Sequence, residues 1–245
     1  MDTSLYVNLS YQSSLNRRLE LIANNIANVN TTAFKAERVM FDDVSVKAGR
    51  NADVAFVIDR ASYTDFNTGS ITQTGNALDI AVVGDGWLSV ETPDGIRYTR
   101  DGRLTISPNQ ELTAVDGSPV LDRGGARIII PEQAETVNIS QSGAVSVQIQ
   151  GEPLPIEIGQ LGLYDFDQPQ QLTREASGRF SGENEPTLME NARVQQFAIE
   201  SSNINPIKEI IKLMELSRSY TQVAKSSSDI HEQKKDSISR LSRNS

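Results

Sequence analysis

The C-terminal part of the chain carries one uninterrupted helical pattern, and this pattern limits the possible folds more than any other feature. Asn205 can cap a helix with its side-chain oxygen, and Pro206 follows at the first helical position, where a missing N–H costs nothing. No further Pro or Gly occurs before the C-terminal Ser245. A helix from Pro206 to Leu241 would be about 54 Å long, which is longer than the core of a small domain can cover. The pattern therefore predicts a helix that needs a partner of similar length.

Apolar residues recur along this helix at spacings of three and four and form a stripe on one side. The stripe consists of Ile207, Ile210, Ile211, Leu213, Met214, Leu216, Tyr220, Val223, Ile230, Ile238 and Leu241. Ser217 and the serines at 226–228 dilute it, and several members lie on either side of any single heptad line. The stripe therefore predicts contacts with more than one helix rather than with a single tight partner.

A second helix is predicted near the N-terminus, from about Ser4 to Asn28. Its apolar residues follow the spacing of a helical seam, at Leu15, Leu19, Ile22, Ile26 and Val29. This seam and the C-terminal stripe are predicted to pack against each other or against neighbouring molecules, in which case they form an assembly interface. Periodicity leaves two arrangements open, because both helices could form a coiled coil or could pack on a globular core.

Composition and charge exclude several classes of protein. Only 38% of residues are hydrophobic, which predicts a modest core and an elongated protein. The net charge of −9 argues against nucleic-acid binding, which needs a basic surface. Cysteine is absent, so disulfides and thiolate metal sites are excluded. No cleavable secretory signal and no membrane-spanning segment are expected, so export would follow a signal-less route.

The middle of the chain is predicted to be β-structure. Four Asp-Gly pairs, beginning at Asp85, Asp94, Asp101 and Asp116, separate short alternating segments. Because Asp-Gly favours tight hairpin turns with positive φ, these pairs predict a meander. The predicted fold class is α+β, with terminal helices in a coiled-coil-like domain, an extended connector layer and a central β barrel or sandwich. The predicted segments are the helix and its exit at 1–35, a connector at 36–75, a β domain at 76–166, a return connector at 167–199 and the long helix at 200–245.

The residue pattern contains no recognisable catalytic or metal site. His231 is the single histidine, and its expected role is at a surface or in helix packing. Carboxylate pairs such as Asp94 with Asp101 or Asp79 with Asp85 are explained by turns without catalysis. Trp87 could bind a sugar, although a core position is the better interpretation. We therefore expect neither an enzyme nor a bound cofactor.

Three blocks of sequence resemble the axial proteins of the bacterial flagellum, in the rod and hook branch. The first block, 21–35, is similar to that family's Asn-rich helix exit and contains Asn24, Asn25, Asn28, Asn30, Thr31 and Phe34. The second covers 69–87 and 98–102, and the third, 200–205, contains Ser202 and Asn203. The family commonly has Gly where this chain has Ala33, and often where it has Phe197. The backbone could therefore differ at both points, and Ala at positive φ would be strained.

The resemblance implies a structural role. Family members are exported through the flagellar type III apparatus and assemble in the periplasm by packing the terminal helices of neighbouring subunits. The implied partners are other rod subunits and further copies of this chain, with no nucleic acid, small-molecule substrate or membrane insertion. The implied location is the periplasmic rod of the basal body. Length and the N-terminal residues favour the proximal rod, with a distal-rod or hook-type protein as the alternative. A secreted β-domain enzyme or adhesin acting on wall polysaccharide is the alternative from another class.

Overall fold

Both ends of the chain are helical in the computed structural model, which describes residues 3–47, 53–182 and 184–243. The chain divides into two units. The first, here called the helical unit, comprises Met1–Val29, Ala36–Asp65 and Ile204–Ser245. The second, here called the β unit, comprises Asn30–Lys35 and Phe66–Asn203. The terminal helices and the antiparallel sheets confirm the α+β prediction.

The two helices lie close to their predicted bounds. Helix α1 spans Thr3–Ala27 and helix α2 spans Pro206–Arg243. The Asn205 side-chain Oδ1 accepts a hydrogen bond from the Lys208 backbone N–H at 3.1 Å, so Asn205 is the N-cap that the sequence predicts. Pro206 is the first helical residue. Local chemistry therefore sets the start of α2.

In the helical unit, α1 packs against α2 and against a β-hairpin. Gln12 near the start of α1 donates a hydrogen bond to the Tyr220 hydroxyl at 3.3 Å. Strands β1 (Glu37–Lys47) and β2 (Asp53–Thr64) form the hairpin, with a bulge between Met40 and Phe41. Most of the segment predicted as a connector at 36–75 thus forms a hairpin.

The β unit consists of short antiparallel strands. They are β3 (Ile71–Gln73), β4 (Ile80–Val83), β5 (Trp87–Thr92), β6 (Gly95–Thr99), β7 (Leu104–Ile106), β8 (Leu112–Ala114), β9 (Ala134–Ile139), β10 (Ala144–Ile149), β11 (Ile156–Gln160), β12 (Leu163–Asp165), β13 (Thr173–Arg174), β14 (Arg179–Ser181), β15 (Thr187–Leu188), β16 (Arg193–Gln196) and β17 (Ala198–Glu200). The largest sheet has the order β13-β14-β6-β5-β12-β15, and β11-β10-β9 form a three-stranded sheet. Among the described residues, the β unit also contains three two-stranded sheets, β16-β4, β17-β3 and β7-β8.

Two buried clusters form the core of the β unit. The larger is aliphatic and includes Leu88, Leu112 and Val145. The smaller is aromatic and centres on Trp87, which makes edge-to-face contacts with Phe66 and Phe180. Such contacts add about 0.5–1.5 kcal/mol per pair beyond the burial of area. The core position predicted for Trp87 is confirmed, because its side chain is 2% exposed.

Only two of the four Asp-Gly pairs form hairpin turns. Gly95 and Gly117 both have positive φ. The turn at Gly95 joins β5 to β6, and the turn at Gly117 joins β8 to the segment at Pro119. The predicted hairpins at Asp85 and Asp101 are wrong, because β4 pairs with β16 and β7 pairs with β8. Gly102 serves another purpose, since a Cβ there would lie 1.8 Å from the Ile80 carbonyl oxygen. It allows two segments of backbone to pass closely.

The backbone keeps a left-handed conformation at both positions where the family commonly or often has glycine. Ala33 has φ of 56° and Phe197 has φ of 63°. A non-glycine residue pays about 1–2 kcal/mol in this region because its Cβ crowds the following carbonyl oxygen. Phe197 lies between β16 and β17, where the chain changes its partner strand from β4 to β3. Ala33 and Phe197 therefore adopt the left-handed conformation that favours glycine, and both residues are strained.

Candidate assembly interface

The first and third sequence blocks meet inside the β unit. Lys35, at the end of the first block, and Glu200, at the start of the third, form an ion pair with Nζ and Oε1 2.6 Å apart. Both side chains are fully buried. The Lys35 ammonium also donates to the Asn67 carbonyl at 3.0 Å. A buried charge requires such partners, because removing an ion from water costs several kcal/mol. The pair therefore fixes two distant segments of sequence against each other.

Arg100 is the third charged member of this buried cluster. Its guanidinium donates to the Glu200 carboxylate at 3.3 Å and lies 5.1 Å from the centre of the Trp87 ring. Burial lowers the pKa of Arg100 below its ordinary value, although the nearby carboxylates of Glu200, Asp85 and Asp165 act in the opposite direction. An arginine stays charged in proteins even so. Glu200 thus neutralises charge from two cations at once.

Backbone contacts close the same cluster. The Gly69 N–H donates to Glu200 Oε1 at 2.8 Å, and a Cβ at Gly69 would lie 1.9 Å from the Ser201 carbonyl oxygen. Glycine is therefore required at this position. The Asn203 N–H donates to the Phe34 carbonyl at 3.2 Å, and its side chain donates to the Asn67 carbonyl at 3.0 Å. The hydrogen bond between Asn203 and Phe34 thus holds the third sequence block against the first.

The remaining residues of the Asn-rich block have separate positions. In the helical unit, the buried Asn25 side chain donates to the Glu37 carbonyl and accepts from the Glu37 N–H, at 2.9 and 3.0 Å. The Asn28 side chain donates a hydrogen bond to the Asn24 carbonyl at 2.9 Å, directly after the last residue of α1. Asn30 is exposed. In the β unit, the Phe34 ring lies 4.1 Å from the Arg174 guanidinium carbon. The Thr31 carbonyl accepts from the Phe34 N–H, and Ser202 is buried.

The predicted interface residues on α1 and α2 fall into two groups. Those partly or fully covered within the chain are Leu15, Leu19, Ile22, Ile26, Val29, Leu216, Tyr220, Val223 and Ile230. Those that remain exposed are Ile207, Ile210, Ile211 and Met214. Leu15 is only 1% exposed, whereas Ile207 is 70% exposed. One side of α2 thus packs inside the helical unit, and another side presents isoleucine and methionine to solvent.

An open groove lies within the helical unit, with a volume of about 480 Å³. Residues of α1, α2 and the hairpin line it, among them Leu15, Ile22, Val39 and Leu216. Charged side chains also reach it, and the Lys212 ammonium pairs with the buried Glu209 carboxylate at 2.7 Å. The lining of the groove mixes apolar side chains with charged ones, which is suited to an amphipathic partner.

Two of the carboxylates considered as candidates have neighbouring side chains as partners. Asp101 is held by Arg103 at 2.6 Å, and Asp79 accepts a hydrogen bond from Asn76 at 3.0 Å. The His231 side chain lies outside the described side chains. Within the described residues, no group of three or more metal-ligating side chains occurs, and no helix is long and apolar enough to span a membrane.

Sequence reasoning identified both blocks of the buried cluster but missed its charged residues. Lys35 and Glu200 stand within or beside the motifs, and Arg100 lies in the second block. Nothing in their spacing indicates that they meet, since Lys35 and Glu200 are 165 residues apart. A signal does exist, because Lys35 is the only charged residue of the first block and Glu200 the only one of the third, and their charges are opposite.

Three family models match the chain. The model described as "Flagella basal body rod protein" matches residues 5–35, and the "Flagellar hook protein FlgE/F/G D1 domain" matches residues 81–147. The "Flagellar basal body rod FlgEFG protein C-terminal" matches residues 195–239. The matches thus cover both terminal segments and the centre of the chain.

Curated relatives match over nearly the whole length. The chain is 37% identical to the flagellar basal-body rod protein FlgF of Caulobacter vibrioides, over 98% of each chain. It is 35% identical to the FlgF protein of Mesorhizobium japonicum over 91% of each chain. It is also 31% identical to the flagellar basal-body rod protein FlgG of Buchnera aphidicola, over 92% of this chain and 95% of that protein.

Proposed function

The chain belongs to the flagellar basal-body rod protein family, and on that premise we propose that it builds the rod by packing exposed apolar residues of α2 against neighbouring subunits. It is a structural subunit of the basal-body rod, whose general role is to transmit torque. The family is structural and not enzymatic, so the alternative of a polysaccharide-acting enzyme is not retained. Family membership also implies assembly with other rod subunits.

The exposed residues of α2 carry the proposal. Ile207, Ile210, Ile211 and Met214, here called the exposed stripe, stand at positions i, i+3, i+4 and i+7 of the helix. Even the least exposed, Ile210, has 47% of its surface accessible. Full burial of one such side chain is worth about 1.5–3 kcal/mol. A contiguous apolar surface of this kind on a soluble protein marks an interaction site.

The covered residues have a different role in the proposal. Leu15, Leu216 and Tyr220 hold α1 and α2 together inside one subunit, since neighbouring elements already cover them. They shape the helical unit, and Leu15 and Leu216 also line its open groove. The assembly interface predicted from periodicity is thereby divided into an internal part and an external part.

The resemblance supports further details of the proposal. We infer assembly in the proximal rod, after export through the type III apparatus. The proteins named FlgF are 35–37% identical to this chain, and those named FlgG are 29–31% identical. The distal rod is the second candidate. Quantitative mass spectrometry of basal bodies stripped of hook and filament separates them, because few copies favour the proximal rod and many copies the distal rod.

The central test is the variant Ile211→Asp in the source bacterium. A charge in the exposed stripe should prevent its burial, so that the chain is missing from isolated basal bodies and the cells do not swim. Ser226→Asp is the matched control, because Ser226 is exposed on α2 but does not belong to the exposed stripe, and the variant adds the same charge. Trp87 fluorescence checks that the β unit remains folded in both variants. Normal rods containing Ile211→Asp would contradict the proposal.

A further inference from the structure

The groove of the helical unit and the exposed stripe have complementary properties. Along α2, the groove is lined from Glu209 to Ser219, a rise of about 15 Å. The stripe runs from Ile207 to Met214, a rise of about 10 Å. The groove is therefore long enough to receive the stripe of another helix.

The stripe has the pattern of a helix that binds in a groove. Helices that dock in hydrophobic grooves use anchors at i, i+3, i+4 and i+7, and the four residues of the stripe have this spacing. The buried part of the groove lining contains Leu15 and Leu21 beside the polar Asn25 and Glu209, and the half-buried Ile22, Val39 and Leu216 add apolar surface. A second copy of the chain thus carries a ligand of the right chemistry.

Each surface also carries a charge without a partner in the part of the chain that the structure describes. Glu215 lines the groove, and its exposed carboxylate makes neither a hydrogen bond nor an ion pair among those residues. Arg218 continues the line of Ile207, Ile211 and Met214 by one further turn, is exposed, and makes none there either. The two charges have opposite sign. The nearby Lys212 is already paired with Glu209.

A subunit cannot place its own stripe in its own groove. At 3.6 residues per turn, the stripe and the groove-lining residues of α2 are centred about 150° apart around the helix axis. We propose that the groove of one subunit receives the exposed stripe of a second copy of this chain, with Arg218 of that copy facing Glu215. This proposal rests on the proposed function and assigns a partner to its interface.

The arrangement has a consequence for assembly. Because groove and stripe are different surfaces, their contact is heterologous, and each added copy presents a free groove or a free stripe to the next. Such contacts propagate along a helical path instead of closing into a dimer. One pair of surfaces is therefore enough to join successive copies of the chain.

Charge reversal tests the proposal in living cells. Glu215→Arg alone brings two arginines together, the introduced one and Arg218 of the next copy, and Arg218→Glu alone places two glutamates together. Like charges that face each other oppose association, so each variant alone should reduce incorporation into isolated basal bodies about tenfold, the factor that 1.4 kcal/mol gives. Cells that produce both variants together should recover incorporation, because each groove then meets the opposite charge.

The mixed cells exclude an effect inside one helix. Glu215 and Arg218 are three positions apart on the same helix, so each single variant also places like charges at neighbouring helix positions, an effect of about 0.2–0.5 kcal/mol. Mixing leaves that intrahelical pair unchanged in each chain and restores only contacts between chains. Loss of incorporation that mixing does not restore would overturn the proposal.

Engineered cysteines test the contact directly, since the chain has no native cysteine. Copies with Ile211→Cys and copies with Val39→Cys, a groove-lining position, are produced together and oxidised in isolated basal bodies. We expect a disulfide-linked pair containing one copy of each. A pair of two Ile211→Cys copies, or no linked pair while both variants are in the rod, would overturn the groove assignment. The proposed function would still hold if Ile211→Asp abolishes incorporation, so the two failures are distinguishable.

Discussion

The Lys35 ammonium lies 2.6 Å from the Glu200 carboxylate, and both side chains are excluded from solvent. Glu200 also accepts hydrogen bonds from Arg100 and from the Gly69 backbone. One carboxylate therefore holds three segments of the β unit that are far apart in sequence. Loss of this carboxylate leaves two buried cations without their shared anion, which is more costly than the loss of an exposed ion pair.

We expect Glu200→Gln to destabilise the β unit by about 3–5 kcal/mol, the usual cost of breaking a buried ion pair. The measurement is urea unfolding followed by the fluorescence of Trp87, the single tryptophan, which lies in this unit. Glu91→Gln is the control, because Glu91 pairs with Arg127 on the surface and its loss should leave the midpoint nearly unchanged. Equal midpoints for Glu200→Gln and the native protein would show that the buried pair does not stabilise the unit.

Phe197→Gly should stabilise the β unit, which is unusual for the removal of an aromatic side chain. Phe197 is strained at φ of 63° and is 46% exposed, so glycine relieves strain while little packing is lost. The expected gain is about 1 kcal/mol, seen as a higher midpoint in thermal unfolding. Ile199→Gly is the control, because Ile199 lies in β17 without positive φ and glycine should weaken the strand. A lower midpoint for Phe197→Gly would mean that packing of the ring outweighs the strain.

Asn205→Ala should loosen the first turn of α2. The variant removes the acceptor for the Lys208 N–H and should cost about 1 kcal/mol, which corresponds to about fivefold faster opening. Amide hydrogen exchange at Lys208 measures this change. Asn205→Asp keeps the acceptor and adds a favourable charge at the helix N-terminus, so protection should persist. Unchanged exchange in Asn205→Ala would indicate that tertiary contacts alone hold this turn.

The Arg97–Glu175 pair should contribute to the pH dependence of the β unit. A hydrogen bond from the Arg97 side chain lowers the pKa of Glu175 below its ordinary value of 4.5, although burial acts in the opposite direction. Because the folded-state pKa is depressed, the stabilisation is present above about pH 4.5 and is lost as the pH falls through the folded-state value. The pair is partly exposed, so its contribution is about 0.5 kcal/mol.

Glu175→Gln tests this contribution. The difference in unfolding free energy between native protein and variant should be largest near neutral pH and should shrink below pH 4.5. Unfolding monitored by fluorescence at a series of pH values measures this difference. Arg97→Gln should remove the same pH-dependent part, since the hydrogen bond needs both partners. A difference that stays constant from neutral to acidic pH would assign the effect of the variant to packing.

Local features of the fold could be predicted from the sequence because neighbouring residues determine them. A cap at Asn205 and a proline at 206 define the start of α2 through contacts within one turn. The turn at Asp94 is likewise local, and Gly95 has the expected positive φ. The hairpin turn predicted at Asp101 was wrong. Gly102 is instead needed because the Ile80 backbone, which is distant in sequence, passes close to it.

The sequence by itself determined the two terminal helices, the β character of the middle and membership of the axial-protein family, since these depend on periodicity and local motifs. Only the tertiary structure decided which apolar residues are free for assembly. Leu216 and Ile211 belong to the same sequence stripe, yet Leu216 is half-buried and lines the groove, whereas Ile211 is exposed. The buried contact of Lys35 with Glu200 also required the folded chain. Periodicity defines a helix face, but only the positions of distant segments determine what covers that face.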